Sequence, residues 1–90
     1  MRNLIQTLIL LLMTSSELYT VYSKNNCSYC DRAIDLIEDQ GFQVQIKKID
    51  ENNEYFQEMR NLAPSMRTMP VIFKNNTLIG GYSDLVNHFS

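Results

Sequence analysis

"ELYTVYSKNNCSYCDRAIDLIEDQGFQVQIKKID", residues 17–50, carries the chain from one β-like run through a helix-like run into another. Residues 17–23 are rich in β-formers and suit a buried first strand. From Tyr29 to Gln40, apolar Ala33, Ile34, Leu36 and Ile37 are interleaved with Asp31, Asp35, Glu38 and Asp39 at the spacing of an amphipathic helix. Gly41 stands where a helix C-terminus favours positive φ. Phe42, Val44 and Ile46 then recur at period two, which predicts a second strand with one face buried.

The same logic extends downstream. Asn52 and Asn53 are placed to cap a helix containing Tyr55, Phe56, Met59 and Leu62, which Pro64 ends. "PVIFK" and "TLIG" flank Asn75-Asn76, a pair suited to the positive-φ positions of a tight hairpin. "SDLVNHF" supplies Ser83 or Asp84 as an N-cap, with Leu85, Val86 and Phe89 as apolar contacts. The order β-α-β-α-β-β-α joins a parallel βαβ unit to an antiparallel hairpin. It predicts an α/β domain with a four-stranded mixed sheet flanked by helices.

Ninety residues provide for one small domain, over residues 17–90, and the scarcity of Pro and Gly argues against disorder. A net charge of −2 with interspersed signs gives no basic face for nucleic acid. Lys47-Lys48 reads as a solvated strand end or edge. Ahead of the domain, residues 1–16 hold an apolar stretch from Leu4 to Met13, far short of the roughly 20 residues that span a bilayer, so no stable membrane insertion is expected. Three readings stay open for this extension: a cleaved secretory signal, a short amphipathic helix packed on the domain, and an annotated extension of a chain whose translation begins at Met13.

Both cysteines, Cys27 and Cys30, lie two residues apart at the junction of the first strand and first helix. Two cysteines closing so short a loop stabilise little as a staple. A structural zinc site takes four ligands, and beyond the two thiolates only His88 remains, so no metal site is expected. Redox chemistry fits the location. The thiolate is the attacking species in disulfide exchange, and the amino end of a helix offers unpaired N–H groups and a positive dipole end to stabilise it. Cys27 is placed to use both, with the charge of Lys24 nearby, whereas Cys30, one turn into the helix, is expected to be more buried. The i to i+3 spacing brings the sulfurs within disulfide reach.

Two further motifs accompany the cysteines. In "RTMP", residues 67–70, Pro70 is either an ordinary strand-opening proline or the second residue of a cis peptide, which would turn the Met69 backbone toward an extended thiol peptide. In "GGYSD", residues 80–84, the glycines either form a tight turn before an N-cap or let backbone approach a ligand. In the second case the Ser83 and Asp84 N–H groups would meet an anion and the Asp84 carboxylate an ammonium.

"CSYC", "RTMP" and "GGYSDL", in this order and at these separations, resemble the glutaredoxin family across residues 17–90. The resemblance implies the thioredoxin fold and glutathione-dependent reduction of protein disulfides and glutathione mixed disulfides by a cytoplasmic monomer. Glutathione would be the co-substrate, and disulfide-bearing or glutathionylated proteins, ribonucleotide reductase among them, the partners. It makes Cys27 the nucleophile and Cys30 the resolving thiol. Lys24 and Tyr29 would flank bound glutathione, Met69 would pair with its cysteinyl backbone beside Thr68 and a cis Pro70, and Gly81, Tyr82, Ser83 and Asp84 would receive its γ-glutamyl end. Gln57, Arg60 or Arg67 would hold the glycyl carboxylate. Ser28 stands where the common dithiol motif has Pro, a departure that accompanies, in some members, a [2Fe-2S] cluster held between two protomers. A redoxin drawing electrons from thioredoxin reductase is the other alternative.

Overall fold

The structure, a computed structural model, describes residues 17–90, and the expectations placed on residues 1–16 lie outside the described residues. Strand β1 (Leu18–Ser23) leads into helix α1 (Ser28–Asp39), then β2 (Gln43–Lys48), α2 (Asn53–Leu62), β3 (Val71–Lys74), β4 (Thr77–Gly80) and α3 (Tyr82–His88). The strand order is β2-β1-β3-β4. β1 pairs parallel with β2 and antiparallel with β3, and β3 pairs antiparallel with β4. The mixed sheet and element order are those expected from the sequence, and they are those of the thioredoxin fold.

Alternation along β1 assigns the two faces of the sheet. Tyr19 and Val21 point to one side and join Ala33 and Ile37 of α1, Ile72 of β3 and Leu85 of α3 in a core whose members are almost wholly buried. Tyr22 points to the other side, against Met59, Ala63, Val71 and Phe73. The α1/α3 face thus receives two helices and the other face only α2. Phe42 and Phe89 stack at 6.1 Å and both contact the Tyr19 ring, tying the chain end to the first strand. The Tyr19 hydroxyl and His88 Nε2 lie 2.9 Å apart, which gives the lone histidine a structural partner.

Local signals account for the helix ends. Asn52 Oδ1 accepts the Glu54 N–H at 2.9 Å at the start of α2, and α2 stops at Leu62 just before Pro64. Gly41, with φ of +89°, ends α1, and its N–H reaches the Glu38 carbonyl at 2.9 Å.

Four expectations are corrected by the tertiary arrangement. Ile46 remains 45% exposed although it has the inward period, because β2 is an edge strand with a neighbour on one side only. Lys47 is not a solvated edge lysine. The register sets it beside Tyr22, and its Nζ reaches Glu58 Oε2 of α2 at 2.5 Å while lying over the Tyr22 and Tyr55 rings. Of the Asn75-Asn76 pair only Asn75 takes positive φ, +54°. Its side chain accepts the Leu18 N–H at 3.0 Å and its own N–H bonds the Leu18 carbonyl at 2.7 Å, so it prolongs the β1–β3 pairing. Finally, α3 is capped by Gly81 rather than by Ser83 or Asp84. Asp84, three residues on, accepts the Gly81 N–H at 2.9 Å, the one half of a capping box that a glycine at the N-cap, having no side chain, allows.

Candidate active site

The loop that presents Cys27 is fixed from outside. The Asn25 N–H bonds Asp50 Oδ2 at 3.0 Å, its side-chain amide donates to Glu51 Oε2 at 2.8 Å, and Lys48 Nζ donates to Asn25 Oδ1 at 2.7 Å. The β2–α2 junction therefore clamps the loop, a role the sequence alone did not reveal for Asn25, Asp50 or Glu51. Asn26 turns the chain at φ +57°, and Cys27 follows in extended backbone as the N-cap of α1.

At that position Cys27 Sγ accepts the Cys30 N–H at 3.3 Å, so the sulfur occupies the place an N-cap oxygen would take. Cys27 is half-buried and Cys30 fully buried. The two are joined as a disulfide with Cα atoms 5.3 Å apart. The asymmetry of exposure gives one sulfur access to an incoming disulfide and confines the other to intramolecular attack.

Two adjoining clefts flank the cysteines. One, of about 470 Å³, is lined by Lys24, Cys27, Tyr29, Arg67, Thr68 and Met69. The other, of about 760 Å³, shares Tyr29, Thr68 and Met69 and continues along Gly81, Tyr82, Ser83 and Asp84. Pro70 is buried behind Met69, and the Met69–Pro70 peptide is cis. Lys24, Cys27, Tyr29, Arg67, Thr68, Met69, Gly81, Tyr82, Ser83 and Asp84, all singled out from the sequence, thus line one or other of these clefts. Among the three residues left open for a carboxylate, Arg67 lines the Cys27 cleft, Gln57 faces a separate surface of α2, and Arg60 donates to the Met66 carbonyl at 3.4 Å.

The glycine pair divides its work. A Cβ on Gly80, whose φ is +126°, would collide with the Asp84 carboxylate, whereas one on Gly81 would meet only ordinary contacts with the Pro70 carbonyl and Asp84. Gly80 is therefore required by the protein's own cap. In α3 the N–H groups of Tyr82, Ser83 and Asp84 precede any carbonyl an α-helix would supply, so they face the cleft end of the helix.

Arg32 was missed from the sequence. Its guanidinium lies over the Tyr29 ring at 5.3 Å, and Tyr29 in turn packs on Tyr82 with ring centroids 5.5 Å apart. The i to i+3 spacing from Tyr29 on α1 was the available signal.

Among the described residues no group of three or more His, Cys, Asp or Glu side chains converges to hold a metal, and a shared cluster would find one accessible protein ligand per chain, Cys27. No helix among the described residues is long and apolar enough to cross a membrane. A groove of about 530 Å³ on the α2 face, lined by Thr20, Tyr22, Gln45, Lys47, Glu58 and Phe73 among others, contains neither cysteine.

Comparison with known proteins agrees with this arrangement. The glutaredoxin family model matches residues 19–79. The chain is 35% identical over 72 residues to mitochondrial glutaredoxin-2 of Bos taurus, a stretch covering 78% of this chain and 46% of that protein, so it spans about half the length of such relatives. A probable glutaredoxin of Synechocystis is 33% identical over 73 residues, covering 81% of this chain and 83% of its own. The solution structure of a dithiolic glutaredoxin from Trypanosoma brucei brucei superposes with a TM-score of 0.67 at 32% identity, over 84% of this chain and 80% of that one. With the cysteine pair at the start of α1, the four-stranded mixed sheet and these matches together, the chain belongs to the glutaredoxin family.

Proposed function

We propose that the protein is a dithiol thiol–disulfide oxidoreductase that uses glutathione as co-substrate. The observation that carries this is the N-cap position of Cys27, half-exposed between two clefts with its sulfur on the Cys30 N–H, over a buried second cysteine. In the reduced protein, the Cys27 thiolate attacks the glutathionyl sulfur of a protein–glutathione mixed disulfide. The Cys27–glutathione bond forms, and the protein sulfur leaves as a thiolate that takes a proton. A second glutathione thiolate attacks the same glutathionyl sulfur, releasing glutathione disulfide and restoring Cys27. With a protein disulfide, Cys27 forms the mixed disulfide and Cys30 then attacks Cys27, leaving the substrate with two thiols and this chain oxidised.

Glutathione is anionic at two ends. Lys24 and Arg67 suit its glycyl carboxylate, the Met69 backbone suits its cysteinyl unit, and the N–H groups at the start of α3 suit its γ-glutamyl carboxylate. Asp84 has one carboxylate oxygen on the Gly81 N–H and the other available to the ligand ammonium.

The test is reduction of a glutathionylated peptide by the full chain, coupled to glutathione reductase, with Cys27→Ser and Cys30→Ser beside it. Activity is expected to vanish with Cys27→Ser and to survive in part with Cys30→Ser. Full activity of Cys27→Ser refutes the assignment. Turnover with thioredoxin reductase but none with glutathione replaces the glutathione reading by the redoxin one.

A further inference from the structure

Among the described residues, Lys47, Lys48 and Lys74 each face a carboxylate, and Arg60 donates to a carbonyl. Besides Arg60, the described cations with no carboxylate within salt-bridge distance are Lys24, Arg32 and Arg67. Residues 1–16 contain no Asp or Glu. All three line the clefts beside Cys27, in a chain whose net charge is −2. Lys24 and Arg67 share the Cys27 cleft and are accounted for by a carboxylate of glutathione. Arg32 is not: it lies on the second cleft, where Val86 and Asn87 of α3 extend the lining beyond Tyr82.

Its placement is that of a recognition group. The Tyr29 face holds the guanidinium at 5.3 Å, which limits its freedom while leaving its N–H edge available, and Tyr29 itself rests on Tyr82. Tyr29 is 53% and Val86 39% exposed, so the cation sits in an amphipathic rim of the cleft that shares Tyr29, Thr68 and Met69 with the Cys27 cleft. A planar guanidinium presented in this way suits a carboxylate.

We infer that Arg32, positioned by Tyr29, selects disulfide-bearing polypeptides that carry an acidic residue close to the modified cysteine. This rests on the glutathione reading above and adds to it a contact with the polypeptide half of the mixed disulfide. The pair is solvent-exposed, so its effect is modest, about threefold to fivefold in kcat/KM, and falls as ionic strength rises.

The experiment compares the full chain with Arg32→Ala and Arg32→Glu on three substrates. These are a glutathionylated peptide with Asp beside the cysteine, the same peptide with Lys there, and the mixed disulfide of glutathione with free cysteine. The wild type should prefer the Asp peptide by the stated factor, Arg32→Ala should abolish the preference, and Arg32→Glu should reverse it. All three proteins should turn over the small disulfide equally. An Asp preference that survives Arg32→Ala, or no preference in the wild type, overturns the inference while leaving the glutathione reading intact. Equal loss on all three substrates in Arg32→Ala also overturns it, by placing Arg32 in the glutathione site. Failure of the wild type on the small disulfide removes both.

Discussion

Glu58 joins the sheet to α2 through a single carboxylate. Its Oε2 accepts a hydrogen bond from the Tyr22 hydroxyl and lies 2.5 Å from Lys47 Nζ, bringing β1, β2 and α2 to one atom. Glu58→Ala removes both bonds. Tyr22 is only 2% exposed, so its hydroxyl loses a partner in a place where water replaces it poorly. A hydrogen bond to a charged group contributes about 1.5–3 kcal/mol net, and an orphaned buried donor costs a similar amount. The Glu58 side chain is 38% exposed, which screens the ionic part, and Lys47 regains hydration once released. The expected loss is therefore about 2 kcal/mol, against the 5–15 kcal/mol typical of a whole domain. Urea unfolding at neutral pH should show it as a midpoint lowered by roughly 1–2 M with unchanged slope. Tyr22→Phe combined with Glu58→Ala should cost less than the sum of the singles, with a coupling of about 1 kcal/mol. The Lys47 and Tyr22 hydrogen bonds hold the Glu58 carboxyl below the usual carboxylate range. Its contribution is thus complete above the ordinary carboxylate pKa and is lost as pH falls through the lower folded-state value, so wild type and Glu58→Gln should converge in acid. A Glu58→Ala protein within 0.5 kcal/mol of wild type, taken as roughly the scatter of surface substitutions, or strict additivity with Tyr22→Phe, would refute this account.

Burial, and then the hydrogen bond to Glu58, push the Tyr22 hydroxyl above the usual tyrosine value. The protonated ring is favoured by folding, so stability should decline as pH rises above about 10, and Tyr22→Phe should flatten that decline in an alkaline denaturation series. Gly80→Ala forces a side chain onto both a +126° φ and the Asp84 carboxylate, and should cost about 1–3 kcal/mol by thermal unfolding. Leu85→Ala, at a fully buried site between α3 and the sheet, should cost about 2–5 kcal/mol in the same assay; a loss below 1 kcal/mol, less than most core truncations show, would mean the core there is not close-packed. Asn52→Ala should cost about 1 kcal/mol through the lost cap on Glu54, read as a shifted urea midpoint with Asn52→Asp restoring it.

Period and punctuation in residues 17–90 were enough to predict each strand and helix in order. Gly41, Asn52 and Pro64 mark their boundaries through backbone preferences that act within a few residues, and the cysteine pair could be placed on a helix start for the same reason. What alternation cannot encode is which strand becomes an edge, and so Ile46 stayed exposed and Lys47 turned inward to Glu58, eleven residues away. The cap on α3 moved to Gly81 because the Asp84 side chain reaches back over a glycine pair, a close approach that single-residue preferences do not carry. The clamp on Asn25 and the packing of Tyr29 on Tyr82 also join segments distant in sequence. Local stereochemistry by itself determined the elements and the reacting pair. Tertiary packing decided their surroundings, because charge pairing, exposure and cleft shape depend on which chain segments meet across the sheet.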